Sequence, residues 1–279
     1  MSAGFEVLDP GLLTTIQDRG RAGYAHLGVP RSGALDQAAL ALANRLVGNP
    51  ADAAALEATL TGCALRARGT RVVAIAGAFA DVEINGRPMP WGSRLVVPDG
   101  GLLKIGPALD GARSVVATTG GFAVEPTLGS RSRDTLSGIG PEPLCGGDLL
   151  PVGPVATSLD DEPPEAPYRS VQRRIRLIPG PHVDWCDRLR LEGSWTVSAD
   201  SNRVGARLDG TPIDRRDGEV PSFGMIIGAV QLPPSGQPIV LLADHATTGG
   251  YPVVAIVSAT DIDACGQWRP GDQITTGWR

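Results

Sequence analysis

Two glycine-rich stretches carry side chains suited to binding a small polar molecule. The first, TTIQDRGRAGYAHLGVPRSGALD at residues 14–36, combines four glycines and three arginines with Gln17 and Asp18. A glycine held in a loop loses more backbone entropy than any other residue, so repeated glycines indicate positive φ angles or a group packed against the backbone. The stretch therefore predicts a loop that forms one wall of a ligand groove.

The second stretch, ADHATTGGYP at residues 243–252, follows an apolar run that reads as a buried strand. A strand end would hold its polar residues rigidly while the glycines leave access, which favours a pocket wall close to the first stretch. The alternative is a tight turn in which Asp244 and the threonines bond the local backbone. A third stretch, SADSNRVGARLDG at 198–210, supplies Arg203 near the same groove.

A small polar ligand without charge needs paired hydrogen-bonding groups in its pocket. The candidates of this kind are Gln17, Gln231, Asp244 and Thr248. A substrate carboxylate or phosphoryl group needs a fork of donors, which Arg19 and Arg203 offer, although an arginine is more often a structural ion-pair residue. The predicted catalytic groups are Asp18, Asp244 and Arg203, and Gln17, Arg19, Gln231 and Thr248 are predicted to bind substrate.

Two tyrosines that each follow a glycine, Tyr24 and Tyr251, complete the predicted substrate-binding set, because such a ring stacks on a flat ligand or donates from its hydroxyl. The alternative is that each ring fills its own loop. The three histidines have no nucleophile at a recognisable spacing and there is no GxSxG, so no hydrolase triad is predicted. GSRS at 129–132 is a weak signal for a turn that binds an anion through backbone N–H groups.

Composition excludes several functions. The net charge of −5 and the pI near 5.3 argue against a nucleic-acid partner. Lys104 is the only lysine, and its context GLLKIGP is neither a P-loop nor a biotin-attachment site. The sequence therefore contains neither of these two motifs.

The four cysteines, Cys63, Cys145, Cys186 and Cys265, lie far apart without metal-ligand spacing. They are predicted to be buried, reduced thiols, and no metal site is predicted. The start of the chain does not resemble a secretory signal and no segment approaches the length of a membrane span, so we expect a cytoplasmic protein without a membrane partner.

The coarse pattern predicts a mainly β protein of two lobes with some helix. Residues 37–60 show helical spacing at the start, with Asp36 placed as the N-cap, and indicate one helix followed by a second short one. Short apolar runs elsewhere read as separate strands of a barrel or sandwich, among them RVVAIAG, ADVEING, GLLKIG and RSVVATTGG. Hairpin turns are predicted at Asn85-Gly86 and Asp99-Gly100. The acidic, proline-rich stretch 156–170 is predicted to be an exposed linker between lobes at 1–155 and 171–279.

Taken together, several long collinear motifs resemble one family. They are FEVLDPGLLTTIQDRGRAGYAHLGVPRSGALD, ALANRLVGNPADAAALEATLTG, TTGGFAVEPTLGSRS, GAVQLPPSGQPIVLLADHATTGGYP and a WRPGD near the end. The chain is similar over nearly its whole length to the family of the 5-oxoprolinase C subunit, also called allophanate hydrolase subunit 2 or the biotin-dependent carboxyltransferase-like domain.

The resemblance implies a cyclophilin-like β-barrel with additional α/β elements. It also implies a B-type partner protein and, in the oxoprolinase version, an A-type one, which together open 5-oxoproline to glutamate with ATP. In the urea carboxylase version it implies half of a carboxyltransferase site, with any biotin carried by another protein. ATP would act at the level of the complex, because this chain has no motif that binds it. A third implication is a non-catalytic regulatory partner that sequesters a kinase-inhibitor-like B-type protein, so the roles of enzyme component and of binding module both stay open.

The chain departs from the family pattern at a few positions. Asn202 stands where an aspartate is expected, Ala206 where a larger residue is common, and Cys186 where an aromatic residue is usual. His245-Ala246 stands where many members have a glutamine before the threonines. The exact amide substrate is therefore left open.

Overall fold

The structure is a computed structural model that describes residues 4–154 and 170–279. The chain divides into two compact units. Of the described residues, the first unit holds 4–21, 36–133 and 138–154, and the second holds 22–35, 134–137 and 171–279. The predicted lobes are continuous in sequence, whereas the second unit takes two short segments from the N-terminal half. The predicted linker 156–170 lies outside the described residues except for Ser170.

The first unit is built on a nine-stranded sheet. Its strands are β1 (Gly4–Asp9), β2 (Leu13–Gln17), β3 (Ala55–Thr59), β4 (Cys63–Arg68), β5 (Arg71–Ile84), β6 (Arg87–Met89), β7 (Arg94–Val97), β8 (Leu102–Thr118) and β9 (Leu149–Pro151). The main path runs β2-β3-β8-β4-β1-β9, and β5 joins β8 to β6 and β7. An apolar cluster of buried residues that includes Phe5, Ile75 and Leu103 forms a core of this unit.

Two strands are longer than the sequence predicts. Runs that read as separate strands on either side of Gly77 form the continuous β5, and runs on either side of Gly111 form the continuous β8. The two strands pair along their length with register shifts between Gly77 and Val82. Both glycines have positive φ, so a β-bulge absorbs what the sequence indicates as a break.

The predicted first helix is confirmed as α1 (Gln37–Leu46). Asp36 caps it, because its side chain accepts a hydrogen bond from the Ala39 N–H at 2.7 Å. The predicted second helix is wrong: residues 55–59 form β3, which pairs with β2 on one side and β8 on the other. This pairing outweighs the helical propensity of an alanine- and leucine-rich run.

The predicted hairpin at Asn85-Gly86 is confirmed, since both residues have positive φ and Ile84 pairs with Arg87 across the turn. Asp99-Gly100 is also a turn, but it connects β7 to β8, and each of these strands pairs with β5. It is therefore a tight connection within the sheet and not a hairpin.

The second unit contains a closed barrel in the order β10-β17-β14-β15-β12-β11-β18 and a two-stranded sheet of β13 and β16. Its strands are β10 (Arg174–Pro179), β11 (Gly193–Val197), β12 (Gly205–Asp209), β13 (Phe223–Gly224), β14 (Ala229–Gln231), β15 (Ile239–Leu241), β16 (Thr248–Gly249), β17 (Val253–Val257) and β18 (Gln273–Trp278). Its helices are α2 (Ile262–Gly266) and 3₁₀ turns at Ala25–Leu27, Val183–Trp185 and Arg188–Leu191. The predicted mainly β class with a barrel is confirmed.

The cysteines only partly follow the prediction. Cys63 and Cys265 are buried, and burial raises the pKa of the Cys63 thiol to about 12. Cys186 is half-buried and Cys145 is exposed, so the prediction of burial is wrong for Cys145. Within the part of the chain that the structure describes, no helix is long and apolar enough to cross a membrane.

Two isoleucines of β10 allow a matched test of the barrel. Ile175 is fully buried and Ile178 is 37% exposed. We expect Ile175→Ala to lower the free energy of unfolding by about 2–5 kcal/mol, because it leaves a cavity in the core. Ile178→Ala should lower it by about 1 kcal/mol or less. Urea unfolding followed by tryptophan fluorescence measures both, and equal losses would contradict the assigned orientation of β10.

Candidate functional site

A polar turn in the second unit begins where the buried strand β15 ends. The backbone N–H of His245 donates to the Leu242 carbonyl at 3.2 Å, which closes the turn over residues 242–245. The Asp244 N–H donates to the Arg203 carbonyl at 3.0 Å and so fixes the turn to the segment before β12. Asp244 therefore lies on a backbone that is held from two sides.

The Asp244 carboxylate is fully buried and fully hydrogen-bonded. Oδ1 accepts from Ser32 Oγ at 2.7 Å and from Arg203 Nη2 at 3.1 Å. Oδ2 accepts from Arg203 Nε at 2.9 Å, and from Thr135 through its N–H at 2.9 Å and its hydroxyl at 2.7 Å. Arg203 Nη2 also donates to the Gly33 carbonyl at 2.6 Å. The ion pair and its hydrogen bonds thus join four stretches that are distant in sequence.

Opposing effects set the charge of Asp244. Burial is the largest single effect and favours the neutral acid, but the charge of Arg203 and the hydrogen bonds from Arg203, Thr135 and Ser32 together hold the pKa of Asp244 below its usual value. An ionised carboxylate with both oxygens engaged is poorly placed to take a proton from a substrate. Its contacts suit it to positioning the turn.

The predicted proximity of the two glycine-rich stretches is confirmed at one point. Within the second unit, Ser32 donates through its hydroxyl to Asp244 and through its backbone N–H to the Ala243 carbonyl, the latter at 3.1 Å. Residues 14–21 belong to the first unit, so the contact concerns only the 22–35 part of the first stretch. The two-sided groove itself stays a prediction.

The other predicted residues of the second unit have different surroundings. Gln231 is buried, and its Nε2 lies 3.5 Å from the sulfur of Met225. Thr248 is exposed in β16, Tyr251 is 40% exposed and Tyr24 is half-buried beside the 3₁₀ turn. Both tyrosine rings are thus at least partly open to a ligand, and neither fills the apolar core.

In the first unit, the Asp18 carboxylate also accepts hydrogen bonds at both oxygens, but its donors are hydroxyl and backbone N–H groups and not an arginine side chain. Its Oδ1 accepts from Ser130 Oγ at 2.6 Å, Ser132 Oγ at 2.5 Å and the Gly20 N–H at 2.7 Å, and its Oδ2 accepts from the Arg131 N–H at 2.6 Å. The Asp18 side chain therefore shapes the glycine-rich turn that follows it.

These contacts decide what the turn at 129–132 binds. The sequence suggests an anion site of backbone N–H groups there, and the anion is the carboxylate of Asp18. The Arg131 N–H and both serine hydroxyls are engaged by it, so the turn does not fit a nucleotide phosphate. The residues at this turn give no cradle for ATP, and no step through ATP is derived from them.

Gln17 and Arg19 flank Asp18 but have opposite exposure. Gln17 is 1% exposed, and its Nε2 donates to Thr15 Oγ1 and to the Arg133 carbonyl, both at 2.9 Å. Its Oε1 has no hydrogen-bond partner among the described residues. Arg19 is exposed and makes no side-chain hydrogen bond or ion pair within the described residues. Its guanidinium fork is available to an anion.

Several residues of these clusters escape sequence reasoning. They are Ser32 and Thr135 around Asp244, and Ser130, Ser132 and Arg21 around Asp18. Arg21, which is 2% exposed, donates to the Ser132 carbonyl. Ser32 lies within the first glycine-rich stretch and Ser130 and Ser132 within GSRS, so the segments are visible in the sequence while the partners are not.

The fold and these motifs together define a carboxyltransferase-type domain, and the chain belongs to that family. The family model described as carboxyltransferase domain, subdomain A and B, matches residues 27–276. The chain is 37% identical over 266 residues to the 5-oxoprolinase C subunit of Escherichia coli (strain K12), and the match covers 92% of this chain and 85% of that relative. The predicted family resemblance is confirmed.

Solved structures support the same family assignment. The crystal structure of TTHA0988 matches with a TM-score of 0.89 at 38% identity over 99% of this chain. The Kluyveromyces lactis urea carboxylase matches with a TM-score of 0.89 at 29% identity, also over 99% of this chain. The chain spans 55% of TTHA0988 and 27% of the urea carboxylase, so both are longer than the part they share with it.

One testable consequence concerns the buried ion pair. Asp244→Asn should lower the free energy of unfolding by about 3–5 kcal/mol at pH 7, because it leaves the 2% exposed Arg203 without its countercharge. Because the folded pKa is lowered, this stabilisation is present above the unfolded-state pKa of about 4 and is lost as the pH falls through the folded value. Urea unfolding at pH 7 and at stepwise lower pH measures both effects.

The matched control is Asp184→Asn, because Asp184 is 61% exposed and pairs with Arg216 at 2.8 Å. That exposed pair should contribute at most about 1 kcal/mol. An Asp244→Asn protein as stable as the control would show that the buried pair is not needed for the turn.

Another testable consequence concerns Ser132, whose hydroxyl donates to Asp18. Gly140 has a φ of +96°, and a Cβ there would lie 2.1 Å from the Ser132 carbonyl oxygen, whereas Gly147 has a φ of +94° with nothing within 4 Å. Gly147→Ala should lower the free energy of unfolding by about 1–2 kcal/mol through backbone strain alone. Gly140→Ala should lower it by about 1–3 kcal/mol more, because Ser132 must move. Equal losses on thermal unfolding would contradict this account.

Proposed function

We propose that the chain is the C-type component of an ATP-dependent 5-oxoprolinase-type complex that opens 5-oxoproline to glutamate in the cytoplasm. The observation that carries the proposal is the similarity to a 5-oxoprolinase C subunit over 92% of this chain and 85% of that relative. A match that covers most of both chains supports a shared role better than a match to a small part of a larger enzyme.

The chemistry of Arg19 favours this substrate class. 5-Oxoproline has a lactam and a carboxylate, whereas urea has only amide-type groups. Arg19 is exposed on the turn that Asp18 holds in place, and its guanidinium has no other partner among the described residues. A free guanidinium fork suits a carboxylate, with which it forms two charge-assisted hydrogen bonds.

The remaining residues divide by their contacts. The side chains of Asp18, Arg203 and Asp244 are engaged in hydrogen bonds within the chain. We therefore assign these three residues the role of positioning residues. Gln17, Tyr24, Gln231, Thr248 and Tyr251 stay as candidate substrate-binding residues. Of the exposed ones, Thr248 offers a hydroxyl and Tyr251 a ring for a small planar amide.

ATP and further protein components belong to the same proposal. The residues around Asp18 do not fit a phosphate, so the nucleotide would bind elsewhere in the complex. The relative is named as one component of 5-oxoprolinase, which supports an assembly of several chains. We propose a B-type partner protein, together with an A-type one, and negligible turnover by the isolated chain.

A second candidate is the carboxyltransferase component of a biotin-dependent, urea carboxylase-type enzyme. The description of the family model and the match to the Kluyveromyces lactis urea carboxylase at 29% identity favour it. Biotin would then be carried by another protein, because the single lysine, Lys104, lacks an attachment motif.

A reconstitution experiment distinguishes the 5-oxoprolinase role from the carboxyltransferase and regulatory roles. The chain is purified alone and with the B-type and A-type proteins, and ATP-dependent release of glutamate from 5-oxoproline is measured. In the parallel assay urea is the acceptor, and a biotin carboxylase charges a biotinylated carrier protein from bicarbonate and ATP. We expect glutamate release only from the complex. Carboxylation of urea that avidin blocks would favour the second candidate. A stable complex without either activity would favour the role of a regulatory binding partner. Turnover by the chain alone would refute the proposal that its activity requires the partner proteins.

Arg19→Ala provides a sharper test of the substrate class. It should lower kcat/KM for 5-oxoproline about 10–100-fold, equivalent to ~1.5–3 kcal/mol for charge-assisted hydrogen bonds. Inhibition by 2-pyrrolidinone, a lactam without the carboxylate, should not change. The control is Arg66→Ala, which removes another exposed arginine of the first unit, in β4. A parallel loss for both ligands would place Arg19 away from the carboxylate.

A further inference from the structure

Two turns of the first unit have nearly the same backbone but different residues at the first central position. At Asn85-Gly86 the φ angles are +53° and +74°, and at Leu128-Gly129 they are +52° and +78°. Positive φ at both central positions is typical of a type I′ hairpin turn, which prefers asparagine or glycine there. A bulky residue with positive φ is a genuine outlier. The backbone at Leu128 is therefore strained, whereas the turn at Asn85 has the residue that its conformation favours.

The strained turn is held in place from both flanks. The Thr127 N–H donates to the Ser130 carbonyl at 2.8 Å, and the Ser130 N–H donates to the Thr127 carbonyl at 3.2 Å, which closes a two-residue hairpin. Arg131 Nε donates to the Val124 carbonyl at 2.6 Å and so joins the two arms below the turn. Asp18 accepts from the Ser130 hydroxyl and from the Arg131 N–H. Backbone strain persists only where the surrounding structure over-determines the conformation, as these contacts do.

The leucine side chain does not offset this strain by burial. Leu128 is 40% exposed, and every residue of the tip from 125 to 129 is exposed. A single exposed leucine needs no explanation by itself. Leu128, however, occupies a position at which asparagine would relieve the strain, as Asn85 does in the matching turn. An apolar residue at this tip is thus unfavourable for the chain alone, and we infer that its benefit lies in a contact with another molecule.

The form and the charge of the tip indicate a protein surface as that molecule. An exposed hairpin tip does not enclose a small ligand, but it can enter a recess on another protein, and a rigid tip loses little conformational entropy on binding. Glu125 is exposed at the same tip and makes no side-chain hydrogen bond or ion pair within the described residues. The surface that fits the tip is therefore an apolar recess for a leucine, with a basic group at its rim.

The position of the hairpin indicates which protein that is. Ser130 and Arg131 bind Asp18, and Asp18 accepts from the Gly20 N–H in the turn that carries Arg19. A protein that receives the tip would bind to the same part of the first unit as the turn of Arg19, the candidate carboxylate-binding residue. A site to which two chains contribute requires such an arrangement.

We propose that the hairpin tip at 125–129 docks into the B-type partner protein, with the Leu128 side chain as its apolar anchor. Transfer of an exposed leucine side chain into an apolar recess favours association through the hydrophobic effect. The identity of the partner rests on the proposed function, whereas the strain and the exposure of Leu128 do not.

The isolated chain tests the strain. Leu128→Asn gives the turn the residue type of the matching turn, so we expect Tm to rise by about 2–4 °C. Leu128→Ala keeps a Cβ at positive φ and should change Tm by less than about 1 °C. Asn85→Leu should lower Tm, because it introduces the strain and removes the acceptor of the Leu102 N–H. A lower Tm for Leu128→Asn would show that the leucine stabilises the chain by itself and would overturn the proposal.

Docking is measured by titration calorimetry with the purified B-type protein, which requires no turnover. We expect Leu128→Asn and Leu128→Ala each to weaken Kd about tenfold or more, although the first raises Tm. Glu125→Gln should cause a smaller loss that added salt removes. The matched control is Leu12→Asn, which changes a leucine of the first unit that is 65% exposed and should leave both Tm and Kd unchanged.

The outcomes separate this proposal from the proposed function. The same Kd for the wild type and both Leu128 variants would overturn the docking role, and so would a wild-type chain that does not bind the B-type protein. A complex whose affinity depends on Leu128 but which does not open 5-oxoproline would contradict the proposed function and support the docking role.

Discussion

The second unit depends on a carboxylate that is removed from water. Asp244 is 0% exposed, and a buried charge is tolerated only where a countercharge and hydrogen bonds replace its hydration. Arg203 supplies the charge, while Ser32 and Thr135 supply the remaining donors. Because Ser32 and Thr135 come from the N-terminal half, this requirement gives a physical reason why segments 22–35 and 134–137 belong to the second unit.

The same physics shapes the first unit on a smaller scale. Asp18 is 9% exposed and collects four donors from a neighbouring turn and from residues 130–132. Replacing a buried, satisfied charge by apolar groups often leaves a protein as stable or more so. The value of such a carboxylate is therefore geometric: its directional hydrogen bonds fix one loop conformation, which sets where the next side chain, Arg19, leaves the backbone.

Local signals predicted what local physics controls. The N-cap at Asp36, the hairpin at Asn85-Gly86 and the barrel class could be read from the sequence because each depends on a few adjacent residues or on a repeated pattern. The second short helix expected within 37–60 could not be corrected from the sequence, because β3 is decided by its pairing with β2 and β8, both distant along the chain. The continuity of β5 through Gly77 has the same origin, since the glycine that suggests a break accommodates a bulge.

The candidate site shows why residue type alone does not assign a role. From the sequence, Arg19 and Arg203 are equally good candidates for binding an anion. Arg203, however, donates its hydrogen bonds to Asp244 and to the Gly33 carbonyl, whereas Arg19 is exposed without a partner among the described residues. What separates them is the number of hydrogen bonds already made within the chain, which only long-range structure reveals. A ligand can use only the hydrogen-bonding groups that the folded chain has not already engaged. By that criterion the binding chemistry lies less in the buried carboxylates than in the exposed guanidinium of Arg19.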